Sequence, residues 1–300
     1  MSMKIGFVGL GKMGLPMATR LANAGMDLHV ISSNPASLAS LVSLGAKQAS
    51  GLAELAGTCD VLITIVPSDK EVLEIYTKPG TGIIDHASDS LICIEMSSIQ
   101  GETMKTLDKV AQERGKTVTF LDAPVSGGVA GATAGTLTIM VGGDQVVIEK
   151  TRLILEVMGQ KIIYTGDNGS ASNVKMLNQI LNAVHTEISS EVIALARLLD
   201  VDLRVLCDVV NESSGSSWIF KNNVPKFIIP RQHQPGFRLD LMKKDVSLVI
   251  DSARQKQAFM PVANLVYQLF SAAANQGHGQ MNYTYIAEWL AENQPKEENT

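Results

Sequence analysis

The sequence predicts an α/β protein. A doubly wound, mostly parallel sheet occupies residues 1–166, and an all-helical region occupies residues 167–300, entered by one long helix. Three observations predict this. A glycine-rich turn follows a short apolar run at the start of the chain. Short apolar strands then alternate with helical patterns. Finally, Thr-Gly-Asp-Asn-Gly-Ser at 165–170 breaks the alternation, and the 28 residues from Ser172 to Leu199 contain neither Pro nor Gly.

Taken in order, Lys4–Val8 reads as a strand and Pro16–Ala24 as a helix. Between them Gly9-Leu10-Gly11-Lys12-Met13-Gly14 forms a glycine-rich strand–turn–helix, the arrangement that holds a nucleotide pyrophosphate. Gly9 permits the tight turn, Gly11 lets the backbone approach phosphates, and Gly14 lets the helix pack closely with its N-terminus toward negative charge. Asp27–Ile31 is a second strand, and Asn34-Pro35 opens a helix over Ala36–Leu44. Asp60–Val66 is a buried strand ending at Pro67, and Leu91–Met96 is another. Gly101–Arg114 is helical, and Thr117–Asp122 and Gly135–Val141 are strands. Near-continuous apolar strands imply a sheet covered on both faces, with ligands at the carboxyl ends of its strands.

In the long helix, Val174, Leu177, Leu181, Val184, Ile188, Val192 and Leu195 recur in steps of three or four. A polar stripe, Lys175, Asn178, Asn182 and His185, shares one face. Either it grips a substrate oxygen or it is a solvated face. Helices over Leu203–Asn211, Leu241–Gln255, Val262–Ala274 and Tyr283–Glu292 follow, and a polar tail closes the chain.

Composition narrows the partners. The 300 residues are 45% hydrophobic and 18% charged, with net charge −5 and pI near 5.6. That balance argues against nucleic acid, whose phosphates need clustered positive charge. No apolar run reaches the roughly 18 residues of a membrane span. Met-Ser-Met-Lys runs straight into the first strand, so no leader is expected. Cys59, Cys93 and Cys207 lie far apart, which suggests free thiols in a reducing, cytoplasmic setting and no metal site.

Four motifs in order resemble the β-hydroxyacid dehydrogenase family, the group that holds 3-hydroxyisobutyrate dehydrogenase and tartronate semialdehyde reductase. They are the Gly9–Ala18 loop, Asp122-Ala-Pro-Val-Ser126-Gly127-Gly128, Gly166-Asp-Asn-Gly169 leading to Lys175-Met-Leu-Asn178, and Pro235-Gly-Phe-Arg-Leu-Asp-Leu-Met-Lys-Lys244-Asp245. The resemblance covers nearly the whole chain. It implies an N-terminal Rossmann domain, an all-helical substrate and oligomerisation domain, and hydride transfer between NAD or NADP and a small 3-hydroxy acid or its semialdehyde. It also implies a homodimer or homotetramer. Lys175 would give or take the proton, and Asn178 would orient the substrate oxygen. Ser126, Gly127 and Gly128 would bind the carboxylate. Val66, Pro67 and Ser98 would line the cofactor, Lys244 would close on it, and Asp245 would place Lys244.

An ammonium group suits such chemistry, since it offsets charge developing on the oxygen and supplies the proton. Three positions depart from the family pattern: Ala171 stands near an expected glycine, Gln179 in place of asparagine, and Asn282 in place of aspartate. Competing readings are a non-catalytic dinucleotide-binding module and an imine-reducing relative; retained Lys175 weighs against the latter. For cofactor choice, the end of the second strand reads Ser32-Ser33-Asn34. It has neither the acid that holds the NAD ribose nor the arginine that meets a 2′-phosphate. Absence of the acid favours NADP. The substrate's far wall is expected from Ser213–Phe220 and the stretch near Phe237 and Arg238, although Trp218 and Phe220 could instead be core.

Overall fold

The computed structural model describes residues 3–233 and 236–293, so Pro235 of the fourth motif and the polar tail lie outside the described residues. The chain divides into two compact units, Met1–Lys175 and Met176–Thr300. The division falls later than the 166/167 boundary expected from the glycine break. The reason is that the first turns of the long helix belong to the sheet unit through bonds made by Ser172.

The first unit runs β1 (Lys4–Val8), α1 (Gly14–Asn23), β2 (Asp27–Ile31), α2 (Pro35–Ser43), β3 (Lys47–Gln48), α3 (Leu52–Thr58), β4 (Val61–Thr64), α4 (Asp69–Thr77) and α5 (Ile83–His86). It continues through β5 (Ile92–Glu95), α6 (Gly101–Glu113), β6 (Thr119–Asp122), β7 (Val125–Ser126), α7 (Gly128–Ala134), β8 (Leu137–Gly142), α8 (Gln145–Met158) and β9 (Gly159–Gly166) to α9 (Ser170–Leu198). The nine-stranded sheet has the order β3-β2-β1-β4-β5-β6-β8-β7, with β9 on β8. The first six strands of that order are parallel, and β8 pairs antiparallel to β6. The strand order reverses between β1 and β4, which is where open α/β sheets bind ligands.

Alternation along each strand supplies two cores. Phe7, Ile63 and Ile94 face one way, toward Met17, Leu21 and Leu155 of α1 and α8. Val8, Leu62 and Cys93 face the other, toward Leu55, Val72 and Met104 of α3, α4 and α6. The Asn34-Pro35 helix entry is present: the Asn34 side-chain Oδ1 accepts from the backbone N–H of Ala36 (3.0 Å) and Ser37 (3.4 Å).

The second unit adds α10 (Leu203–Asn211), α11 (Trp218–Asn223), α12 (Leu239–Gln255), α13 (Pro261–Asn275) and α14 (Ile286–Glu292). The helix expected over Tyr283–Glu292 begins instead as a 3-10 turn, with the Asn282 side-chain Oδ1 accepting from the Thr284 N–H. The apolar row of α9 is where the structure differs most from a simple amphipathic reading. Val174, Leu177, Leu181, Ile188, Val192 and Leu195 are exposed, while Lys175, Gln179, Thr186 and Glu187 are buried.

Glu187 is 4% exposed, and its carboxylate oxygens accept no hydrogen bond within the described residues. Burial, aided by Glu191 one turn on, raises its pKa from 4.5 to about 7. Between those two pH values the folded chain binds more protons than the unfolded chain, so this group weakens the fold as pH rises through that window. Glu187→Gln is therefore expected to raise Tm at pH 8, by roughly 5 °C for a ~3 kcal/mol effect, and to give no gain at pH 4.5. A thermal melt at both pH values checks this; equal gains at both would contradict it.

Candidate active site

The glycine turn after β1 is tightly determined. Gly9 has φ +98°, and a Cβ there would meet the Ile65 carbonyl oxygen at 2.0 Å. A Cβ on Gly14 would lie 1.9 Å from the Gly9 oxygen, so α1 sits directly against the turn. Gly11 is different: a Cβ there would meet nothing within 4 Å. The turn is open at this point, and no side chain caps α1. An open backbone before an uncapped helix N-terminus fits a pyrophosphate. Leu10 points into the core and can contribute only backbone, Lys12 is exposed, and Met13 is half-buried.

At the end of β2, the Ser32 hydroxyl accepts from the Asn34 N–H (3.0 Å). The Asn34 side-chain Oδ1 is committed to capping α2. The Ser32 and Ser33 hydroxyl protons and the Asn34 amide protons thus remain as donors. After β4, Val66 is half-buried and Pro67 exposed, and after β5 Ser97 is buried and Ser98 half-buried. The Val66 N–H donates to the Ser97 hydroxyl (2.7 Å), which ties these two loops together.

Behind the loops, Thr64, Glu95 and Asp122 stand abreast in the register of β4, β5 and β6, each fully buried. Asp122 accepts from the Ser172 N–H (2.7 Å) and the Ser172 hydroxyl (2.5 Å), with further bonds from the backbone of Ala171 and Gly169. Burial pushes its pKa up while these donors pull it down. This carboxylate clamps the start of α9 to the sheet. Lys175, buried at 7% exposure, follows one turn later. Ala171 is itself buried beside the clamp, so the departure from glycine costs no space.

Ser126 ends β7 as a half-buried residue, and Gly127 and Gly128 are exposed. Gly127 has φ +135°, a conformation that a side chain rarely adopts. Around Gly128 a Cβ would again meet nothing within 4 Å, leaving backbone open to a small anion.

On the helical unit, Asn178 is exposed on α9 and its neighbour Gln179 is buried. Gln179 donates to Asp245 Oδ2 on α12 (2.6 Å), and Lys244 pairs with Asp245 Oδ1 at 2.7 Å. Of the candidate wall residues, Phe220 belongs to the core, Trp218 is exposed, Phe237 packs edge-on to Tyr283, and Arg238 pairs with Asp240. Sequence reasoning passed over Glu95, Ser97, Ser172 and Gln179 as functional residues. The available signal was a charged residue ending an apolar strand, Ile92-Cys-Ile-Glu95. No group of three or more His, Cys, Asp or Glu residues able to hold a metal occurs among the described residues. No helix among them is long and apolar enough to cross a membrane.

A glycine turn at the switch point of a doubly wound sheet, open toward an uncapped helix, defines a dinucleotide-binding protein. Comparison narrows the class. Residues 4–166 match the NAD-binding domain of 6-phosphogluconate dehydrogenase, and residues 169–290 match the NAD-binding domain of NADP-dependent 3-hydroxyisobutyrate dehydrogenase. The chain is 32% identical to 2-(hydroxymethyl)glutarate dehydrogenase of Eubacterium barkeri, covering 95% of this chain and 94% of that one. It is 33% identical to 2-hydroxy-3-oxopropionate reductase of Escherichia coli, covering 96% and 97%. Among solved structures, 3-hydroxyisobutyrate dehydrogenase of Mycobacterium tuberculosis with L-serine superposes with a TM-score of 0.88 at 30% identity, covering 97% and 99%. The chain belongs to the β-hydroxyacid dehydrogenase family, and it is an NAD- or NADP-dependent oxidoreductase.

Proposed function

We propose that this enzyme interconverts a small 3-hydroxy acid and its semialdehyde, with Lys175 as the general acid and base. The observation that carries this reading is the burial of Lys175 one turn beyond the Asp122–Ser172 clamp. A lysine so placed is held by the sheet rather than left to solvent. When bound, the nicotinamide supplies the hydride in reduction and accepts it in oxidation. Lys175 Nζ then protonates the substrate oxygen in reduction and takes that proton back in oxidation. Asn178, three residues on along the same helix, orients that oxygen. Ser126 and the open backbone at Gly127 and Gly128 take the carboxylate.

Dinucleotide binding is assigned to residues 1–166, and substrate binding and self-association to residues 167–300. Gly9, Gly11 and Gly14, with the backbone of Leu10, Lys12 and Met13, form the pyrophosphate turn. Val66, Pro67 and Ser98 line the cofactor, and the Lys244–Asp245 pair acts toward it. The remaining donors of Ser32, Ser33 and Asn34, in a stretch of sequence that itself carries no acid, favour NADP. The exposed apolar row of α9 supports self-association, since each such side chain gains about 1.5–3 kcal/mol on burial. We assign its cover to a second copy of this chain, in a homodimer or homotetramer.

Oxidation of NADPH and NADH with tartronate, methylmalonate and succinate semialdehydes and glyoxylate tests the reaction. Lys175→Ala is expected to lower kcat by roughly 10²–10⁴-fold while cofactor affinity stays close to wild type. Equal loss of both would make Lys175 structural. Ser32→Asp is expected to raise the NADPH KM about tenfold or more by placing like charge beside the phosphate; an unchanged preference would refute the strand-end reading. Ile188→Glu is expected to dissociate the oligomer in light scattering coupled to gel filtration, and a wild-type chain that runs as a monomer would remove the self-association reading.

A further inference from the structure

The sheet unit buries a second carboxylate that the reaction does not use. Glu95 ends β5 with no exposure to solvent. Its Oε1 accepts from the Ser97 N–H at 2.8 Å, and the Ser97 hydroxyl bonds the same carboxylate. Its Oε2 accepts from the Thr64 hydroxyl. With its own proton committed there, Thr64 accepts from Tyr76 of α4 at 2.8 Å. The Ser97 hydroxyl oxygen in turn accepts the Val66 N–H. One carboxylate therefore sits under both loops that follow β4 and β5. An apolar residue at this place would leave Ser97 and Thr64 with buried donors and no acceptor.

We propose that Glu95 is a positioning residue for dinucleotide binding, setting the Val66–Pro67 and Ser97–Ser98 loops through its bond to Ser97. This rests on the reading that those two loops receive the cofactor. The position has a price in desolvation. Burial raises the Glu95 pKa from 4.5 to about 7, against the pull of its Ser97 and Thr64 bonds, and Asp122 on the neighbouring strand pushes it the same way. The other titratable groups around it are Tyr76 of α4 and Cys93 of β5, both pushed up by burial and so uncharged near neutrality. Above pH 7 the carboxylate accepts from Ser97 and Thr64, and Ser97 holds the Val66 N–H. Below it, the carboxyl becomes a donor and gives up part of its hold on Ser97.

The test is NADH binding to the full-length protein, read by nicotinamide fluorescence between pH 6 and 8. NADH is the probe because it has no 2′-phosphate that titrates in this range. Wild-type affinity is expected to weaken several-fold as pH falls through 7. Glu95→Gln is expected to weaken binding about tenfold at pH 8 and to flatten that pH dependence. Ser97→Ala, which leaves the carboxylate in place, is expected to weaken binding similarly, and the double variant is expected to be no weaker than the worse single. Tyr76→Phe removes a bond on the far side of Thr64; it is expected to lower Tm without moving NADH affinity. A purely structural role for Glu95 would lower Tm and affinity in parallel in all of these and leave the pH profile in place. Glu95→Gln and Ser97→Ala binding NADH as wild type does would overturn the positioning role alone. A wild-type chain that binds neither NADH nor NADPH would overturn the reading of the loops as well.

Discussion

The buried carboxylate of Asp122 is the constraint on which the rest of this architecture turns. It ends β6 and accepts from the first turn of α9. An ionised group taken out of water is tolerated only when its lone pairs are filled. Here the donors come from a helix N-terminus, whose N–H groups have no partner of their own and whose dipole favours negative charge. Each side solves the other's problem. The consequence reaches beyond stability, because the clamp holds the first turns of α9, where Lys175 lies, against the sheet.

The same logic extends across the sheet. Thr64, Glu95 and Asp122 form a row of buried polar groups where three adjacent parallel strands end. Apolar side chains there would pack well but would leave the loops above them unattached. The polar row trades packing for orientation. Glu95 is bonded by the loop after β5 and Asp122 by the first turn of α9, while Thr64 links Glu95 to Tyr76 of α4. The glycine turn after β1 reaches the same end by different means. It has no side chains to hold, and its shape follows from the close approach of Gly9 to Ile65 and of Gly14 to Gly9.

The long helix α9 shows how function can invert an expected pattern. Lys175, Gln179, Thr186, Glu187, Ser189 and Ser190 are buried, with Gln179 bonded to Asp245, while Leu177, Leu181, Ile188 and Leu195 are exposed. A surface helix normally does the reverse. An inward polar face fits a helix that carries proposed catalytic residues. The exposed apolar row fits the proposed cover by a second copy.

Much of this was legible in the residues themselves. The glycine spacing, the apolar strands of β1, β2, β4 and β5, the Asn34-Pro35 entry to α2 and the uninterrupted span of α9 are local patterns, and local backbone preference was enough to place them. The four motifs also led to the family, which the comparisons show. The strands β3, β7 and β9 were not legible. The first two are two residues long, and β9 is largely exposed, so none carries a clear apolar signal. Nor was the inward face of α9, because periodicity reports that a helix has faces and not which one is covered. The roles of Glu95, Ser97, Ser172 and Gln179 depended on tertiary structure for a related reason. Each makes a hydrogen bond to a residue distant in the chain, Glu95 with Thr64, Ser97 with Val66, Ser172 with Asp122 and Gln179 with Asp245. A buried polar group declares its purpose only when its partner is known, and that partner is chosen by the fold.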